Sequence, residues 1–158
     1  MQIRYTAGPG SPLSVASGIG YVQKLVSRLT KTPITDFNSS ANKTIVTCKT
    51  LFPLNQSVYV DATHDTVIST IYVATNFANF ITSGPLPFDH IPRDLSYKTA
   101  DVNPFGANLV GQVLSCPALR TPTHIRWIIN DGVVPLTGVN GCKPNKDGMC
   151  EIDVFIEG

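Results

Sequence analysis

The chain has 158 residues, a formal net charge of +1 and a charged fraction of only 15%. That length fits one domain able to bury a sizeable core, and the near-neutral balance argues against a nucleic-acid footprint or an electrostatic membrane anchor. No stretch offers the roughly 18 uninterrupted apolar residues of a membrane span; residues 67–81 come nearest and are broken by Ser69, Thr70, Thr75, Asn76 and Asn79.

Tyr5 to Pro12 is rich in Gly and Pro and reads as a loop. From Leu13 to Leu29, the apolar residues Leu13, Val15, Ile19, Val22, Leu25, Val26 and Leu29 recur at helical spacing, with Gln23, Lys24 and Arg28 left for solvent. Gly18 and Gly20 weaken that helix by roughly 1 kcal/mol each relative to Ala, which suggests a close packing contact. Pro33 ends it. Residues 35–56 form a polar loop, long for a compact domain. It carries the Asn-x-Ser/Thr acceptors Asn38, Asn42 and Asn55. Three such triplets in one polar stretch suggest a glycosylated, secreted surface.

Residues 57–80 form the centre of the chain. Val58 and Val60 alternate with Tyr59 and Asp61, which predicts a strand over 58–62. After Thr66, the apolar residues Val67, Ile68, Ile71, Tyr72, Ala74 and Ala78 predict a helix over 66–80 with one buried face. His64 and Asp65 sit between the two, at the carboxyl end of the strand, where open α/β sheets carry their ligands. A helix start adds unpaired backbone N–H groups and a positive dipole end, a natural place for an anion. The plain alternative is that Asp65 or Thr66 caps the helix.

Gly84-Pro-Leu-Pro-Phe and Ile91-Pro-Arg break regular structure, and Asp101 to Gly106 continues irregular. Residues 108–116 read as a strand, and 124–130 as a second. Asp131-Gly132 is a strong hairpin signal leading into Val133–Leu136, where Pro135 marks an edge. Helices interleave with strands until the last strands follow one another directly. The expected class is therefore α/β, a mixed sheet flanked by helices.

Cys142 and Cys150 bracket a turn-rich loop of a size suited to a local disulfide. Closing it is worth roughly 2.5 kcal/mol in the chain-entropy account. A zinc site is the weaker alternative, since no Cys-x-x-Cys spacing is repeated nearby and His124 stands alone. Cys48 and Cys116 have no evident partner and could pair with each other or outside the chain. Residues 1–10 lack the apolar core of a signal peptide. Secreted features without an export signal suggest a piece of a longer protein.

Several motifs occur in one order: Gly18-x-Gly-Tyr-Val-x-x-Leu-x-x-Arg-Leu-Thr30, Phe52-Pro-Leu-Asn, Tyr59-Val-Asp-x-x-His-Asp65, Pro104-Phe-Gly-Ala107, Ile129-Asn-Asp-x-Val-Val-Pro-Leu136 and Gly141-Cys followed by Cys150. Together they resemble the C-terminal part of secreted fungal histidine acid phosphatases, the phytase branch in particular. The similarity covers nearly the whole chain. It implies a histidine-phosphatase-like (phosphoglycerate-mutase-like) fold in which 1–158 is one portion of a single large domain. It implies phosphate monoesters, phytate or simpler, as substrates, and no cofactor. By match of motif, His64 contacts the scissile phosphate and Asp65 protonates the leaving group.

The chemistry suits those side chains. An alkoxide leaves a phosphate poorly, so a positioned acid contributes roughly 10²–10⁴-fold. A helix N-terminus favours carboxylate over carboxylic acid, while a bound phosphate anion favours the protonated form again. A charged His64 would add a charge-assisted hydrogen bond to the phosphate. The family's nucleophile lies in an Arg-His-Gly-x-Arg-x-Pro motif that is not found in this sequence. His90 and His124 lack those neighbours and read as a loop residue and a solvent-facing strand start. The phosphate-clamping arginines, the small helical domain and the partner of Cys116 would also belong to an N-terminal part. The position after His-Asp, often Asn in the family, is Thr66. Two functions are therefore weighed: a piece of an acid phosphatase, or a non-catalytic secreted glycoprotein that keeps the scaffold and an anion site.

Overall fold

A computed structural model describes residues 2–77, 89–90, 97–115 and 123–157. The chain runs α1 (Gln2–Thr6), α2 (Ser14–Thr30), α3 (Lys43–Val46), α4 (Asp65–Ala74), α5 (Thr99–Val102), β1 (Leu109–Leu114), β2 (His124–Ile129), β3 (Gly132–Val134), β4 (Cys150–Glu151) and α6 (Ile152–Glu157). The expected positions 78–80, 84–88, 91–93, 116 and 121–122 lie outside the described residues.

β2 is the centre of the sheet. It pairs antiparallel with β1 on one side, and with β3 and β4 along the other. Its burial alternates, so that Ile125, Trp127 and Ile129 point into the core. Trp127 is 1% exposed and stacks edge-on against Phe77, ring centroids 5.8 Å apart, and against Phe155 of α6 at 6.3 Å. Gly111 lies directly across from it in β1, and a Cβ there would come within 2.9 Å of the indole. The glycine is what lets the ring lie flat on the neighbouring strand.

The hairpin forms one residue earlier than the sequence pattern indicates. Ile129 pairs with Gly132, so Asn130 and Asp131 are the two turn residues, and both have positive φ (47° and 68°). Two successive left-handed residues match the right-handed twist of a tight hairpin, and Asn and Asp tolerate them best after Gly. Asn130 is held there on three sides. Its Nδ2 donates to the carbonyls of Asp101 (3.0 Å) and Val102 (3.1 Å), and its Oδ1 accepts from Asn108 N (3.0 Å).

The helical layer rests on a close crossing of α2 and α4. A Cβ at Gly18 would lie 2.7 Å from the Ala74 Cβ and against the Thr70 carbonyl, so only glycine permits that approach. α2 stops at Lys31, which takes a left-handed φ of 57°; its N–H and that of Thr32 both return to the Ser27 carbonyl. Pro33 follows.

Three expectations need correction. Residues 58–62 are extended but pair with no strand among the described residues. The alternation is present, with half-buried Tyr59 turned towards α2 while Val58 and Val60 stay 73% and 86% exposed. Strand propensity becomes sheet only where a neighbour supplies the ladder. Tyr5 and Thr6 belong to α1 rather than to the loop, with Ala7 and Gly8 N–H both closing on Ile3 O. Asp101 and Val102 end the short α5. Among the described residues, no helix is long and apolar enough to cross a membrane.

Candidate active site

His64 and Asp65 stand where the extended segment becomes α4. His64 is the N-cap residue, with extended backbone (φ −112°, ψ 163°), and its side chain makes no capping bond. Its carbonyl starts the helix by accepting from Ile68 N at 3.0 Å. Asp65 is the first helical residue, and its Oδ1 accepts from the next backbone N–H, Thr66, at 2.7 Å. Both side chains are exposed. The capping alternative is thus met in a limited way: Asp65 satisfies one first-turn donor, and neither it nor Thr66 occupies the cap position.

The approach to this pair is fixed by a staple between α2 and the extended segment. Arg28 binds Asp61 with both guanidinium ends, Nη1 to Oδ2 at 2.5 Å and Nη2 to Oδ1 at 3.1 Å. Its guanidinium carbon lies 4.8 Å from the Tyr59 ring centre and 5.1 Å from that of Phe52. Lys24 stands 3.9 Å from Asp61, and Lys31 donates to Gln56 O at 3.1 Å. A fork-on-carboxylate pair stacked between aromatic faces uses the planar geometry that lysine lacks.

The Arg28 hydrogen bonds hold the Asp61 carboxyl below the usual carboxylate range, with the Arg28 and Lys24 charges adding to them and partial burial opposing. A carboxyl depressed in the folded state stabilises above its unfolded value of about 3.9, and that stabilisation is lost as pH falls through the folded value. Asp61→Asn is therefore expected to lower stability by about 1 kcal/mol at pH 7, the pair being partly exposed. Urea melts should show the gap between parent and variant narrowing progressively as pH is lowered below the unfolded value of about 3.9. A gap that does not narrow there would mean that the carboxylate charge is not what the staple uses.

An open groove of about 2030 Å³ runs between α2, residues 55–63, the start of α4, and strands β1 and β2. Thr63 and Val67, on either side of the His-Asp pair, line it, as do Lys24, Arg28 and Lys31. Exposed Val58, Val60, Val67, Val110 and Val113 give it an apolar wall. Among the described residues no cluster of His, Cys, Asp and Glu could hold a metal ion.

The other candidate residues are scattered over the fold and do not join the His-Asp pair. His90 sits in a bend with Nδ1 2.8 Å from Asp89, both exposed. His124 opens β2 with Nδ1 2.7 Å from the Thr123 hydroxyl, half-buried rather than facing solvent. Cys142 and Cys150 are disulfide-bonded, their Cα atoms 5.5 Å apart. Cys48 carries a free thiol, shifted downwards by backbone hydrogen bonds from Leu51 and Thr50; Cys116 lies outside the described residues. Asn38 exchanges hydrogen bonds with Gln23 and Asp36. Asn42 caps α3 through its Oδ1, 3.3 Å from Ile45 N, and Asn55 is exposed. No sequence pattern points to the buried group beneath α4, where Asn103 meets Ser69 and Tyr97.

The histidine phosphatase superfamily (branch 2) profile matches residues 1–130. The chain belongs to this family. Among curated histidine phosphatases it is 36% identical over 159 aligned positions to Phytase A of Aspergillus fumigatus, covering 98% of this chain and 32% of the relative. It is 34% identical to Phytase A of Aspergillus oryzae and to that of Emericella nidulans, each over 157 positions with the same two coverages. The chain thus spans about a third of the length of the curated relatives it matches.

Proposed function

We propose that residues 1–158 are the C-terminal portion of a secreted histidine acid phosphatase that hydrolyses phosphate monoesters, phytate among them. In this reading Asp65 donates a proton to the leaving alkoxide and His64 hydrogen-bonds the phosphate, while a histidine nucleophile and phosphate-clamping arginines come from an N-terminal part together with the small helical domain. One observation supports it above the others. The His-Asp pair lies exposed at the first turn of a helix, at the end of an extended segment, inside the stretch that the family profile covers. A general acid belongs at such a place, close to backbone donors that attract the anion and open to the proton it must regain.

Secretion accords with three acceptor asparagines and one disulfide. Of the three, Asn42 and Asn55 are the better glycan sites. Asn42 uses only its oxygen in capping α3, so Nδ2 is free to carry a sugar, whereas the Asn38 Nδ2 is engaged by Asp36 at 2.9 Å.

The test is an assay of the 158-residue chain with p-nitrophenyl phosphate at about pH 5. No turnover above background is expected, because an acid helps only a reaction whose nucleophile is already positioned. Adding a segment that carries the Arg-His-Gly-x-Arg-x-Pro motif is expected to produce turnover. Turnover by the chain alone would place a nucleophile within these residues. Silence in both arms, with the added segment shown to bind, would favour the non-catalytic glycoprotein.

A further inference from the structure

Beneath the first turn of α4 lies a small polar group enclosed by the core. Asn103 Nδ2 is 2.5 Å from Ser69 Oγ, 3.1 Å from the Tyr97 hydroxyl and 3.3 Å from the backbone carbonyl of Asp65. Ser69 and Tyr97 are also hydrogen-bonded to each other through their hydroxyls. Ser69, Tyr97 and Asn103 are 0%, 2% and 9% exposed. We propose that Asn103 is a positioning residue, which fixes the first turn of α4 and through it the direction of the Asp65 carboxyl and the adjoining His64. The significance of that pair rests on the function proposed above.

The geometry supports this in three steps. First, the carbonyl of an α-helical residue accepts one hydrogen bond, from the N–H four residues on, which for Asp65 is that of Ser69. Asn103 adds a second donor, from outside the helix, to the carbonyl of the very residue that carries the acid. The peptide plane next to the Asp65 Cα is then held from two directions, and the Cα–Cβ bond with it. Second, Asn103 is itself immobilised. Its N–H returns to Thr99 O at 2.8 Å, Pro104 restricts the backbone after it, and the preceding carbonyl of Val102 accepts from the Tyr72 hydroxyl (3.2 Å) and from Asn130 Nδ2 (3.1 Å). A line of hydrogen bonds therefore runs from the β2–β3 turn to the start of α4. Third, Asn103 Oδ1 is buried with no hydrogen-bond partner among the described residues. A buried acceptor left unpaired is a net loss to stability. An apolar side chain would avoid the loss, but it could not donate to the Asp65 carbonyl.

The test uses the full 158-residue chain, labelled with ¹⁵N, in Asn103→Leu and in the near-isosteric Asn103→Asp, which keeps the shape and removes the amide donor. Ser27→Ala is the control, since it removes a buried side chain's hydrogen bond, to Thr32 O at the end of α2, that has no part in holding Asn103. Hydrogen exchange is expected to accelerate at least about tenfold at Ile68 and Ser69 in both Asn103 variants, while Thr75, bonded to Ile71 O, stays within about threefold of the parent, as local opening requires. In Ser27→Ala, Ile68 and Ser69 should stay within about threefold. A second readout is the shift of the Asp65 and Thr66 amide signals on addition of inorganic phosphate, expected in the parent and weakened at least about fivefold in apparent affinity in Asn103→Leu, which removes the donor without adding a charge that would itself repel phosphate. Unchanged exchange at Ile68 and Ser69, or acceleration spread evenly along α4, overturns the proposal. Parent signals that ignore phosphate count against His64 and Asp65 as an anion site; the exchange data alone then decide whether Asn103 holds that turn.

Discussion

Trp127→Ala is expected to destabilise the chain by about 3–5 kcal/mol, the range for emptying an aromatic site in a packed core. The indole is 1% exposed and touches three parts of the fold at once: Phe77 beyond the end of α4, Phe155 in α6, and the bare backbone of Gly111 across the strand. The residue directly opposite in β1 is glycine and offers no side chain to fill the vacated space. A domain of this size has only about 5–15 kcal/mol in total, so the variant should lose a large part of its stability. Urea unfolding followed by far-ultraviolet circular dichroism gives the number. A loss under about 1 kcal/mol would mean that the sheet and the helices are held together elsewhere.

How much of this was legible in the sequence depended on how local each cause is. The α2 helix was visible because its seventeen residues carry their own periodicity, and Gly18 signalled the close crossing with α4 that the structure contains. β1, β2, the hairpin and the Cys142–Cys150 bridge were legible for the same reason, being set by alternation, by a turn dipeptide and by short spacing. The turn was misplaced by one residue because Asn130 is held in its left-handed backbone by Asp101, Val102 and Asn108, contacts that no local pattern reports. The strand expected over 58–62 failed on the same ground, since a ladder needs a partner and alternation does not supply one. Within the candidate site, the His64-Asp65 pair was visible as a junction between two periodicities. Its supports were not: Arg28 reaches Asp61 across 33 positions, and Asn103 reaches Ser69 across 34.

The second large effect is at Asp65. In a polypeptide that joins this chain to a segment carrying the nucleophile motif, Asp65→Asn should lower kcat by about 10²–10⁴-fold, the usual contribution of a general acid. KM should change little, because the proton is needed only in the transition state. Stability should stay within about 0.5 kcal/mol, since the side chain is exposed and its hydrogen bond is the local one from Thr66 N. The leaving group supplies the sharpest discrimination. An alkyl alkoxide is strongly basic and must take a proton as it departs, whereas p-nitrophenolate departs readily without one. Comparing kcat of parent and Asp65→Asn on an alkyl phosphate and on p-nitrophenyl phosphate therefore measures proton donation itself. A loss at least about tenfold larger on the alkyl ester is the result expected of a proton donor at Asp65. Equal losses on the two esters would contradict it, and would leave Asp65 as a group that orients the phosphate or the helix start.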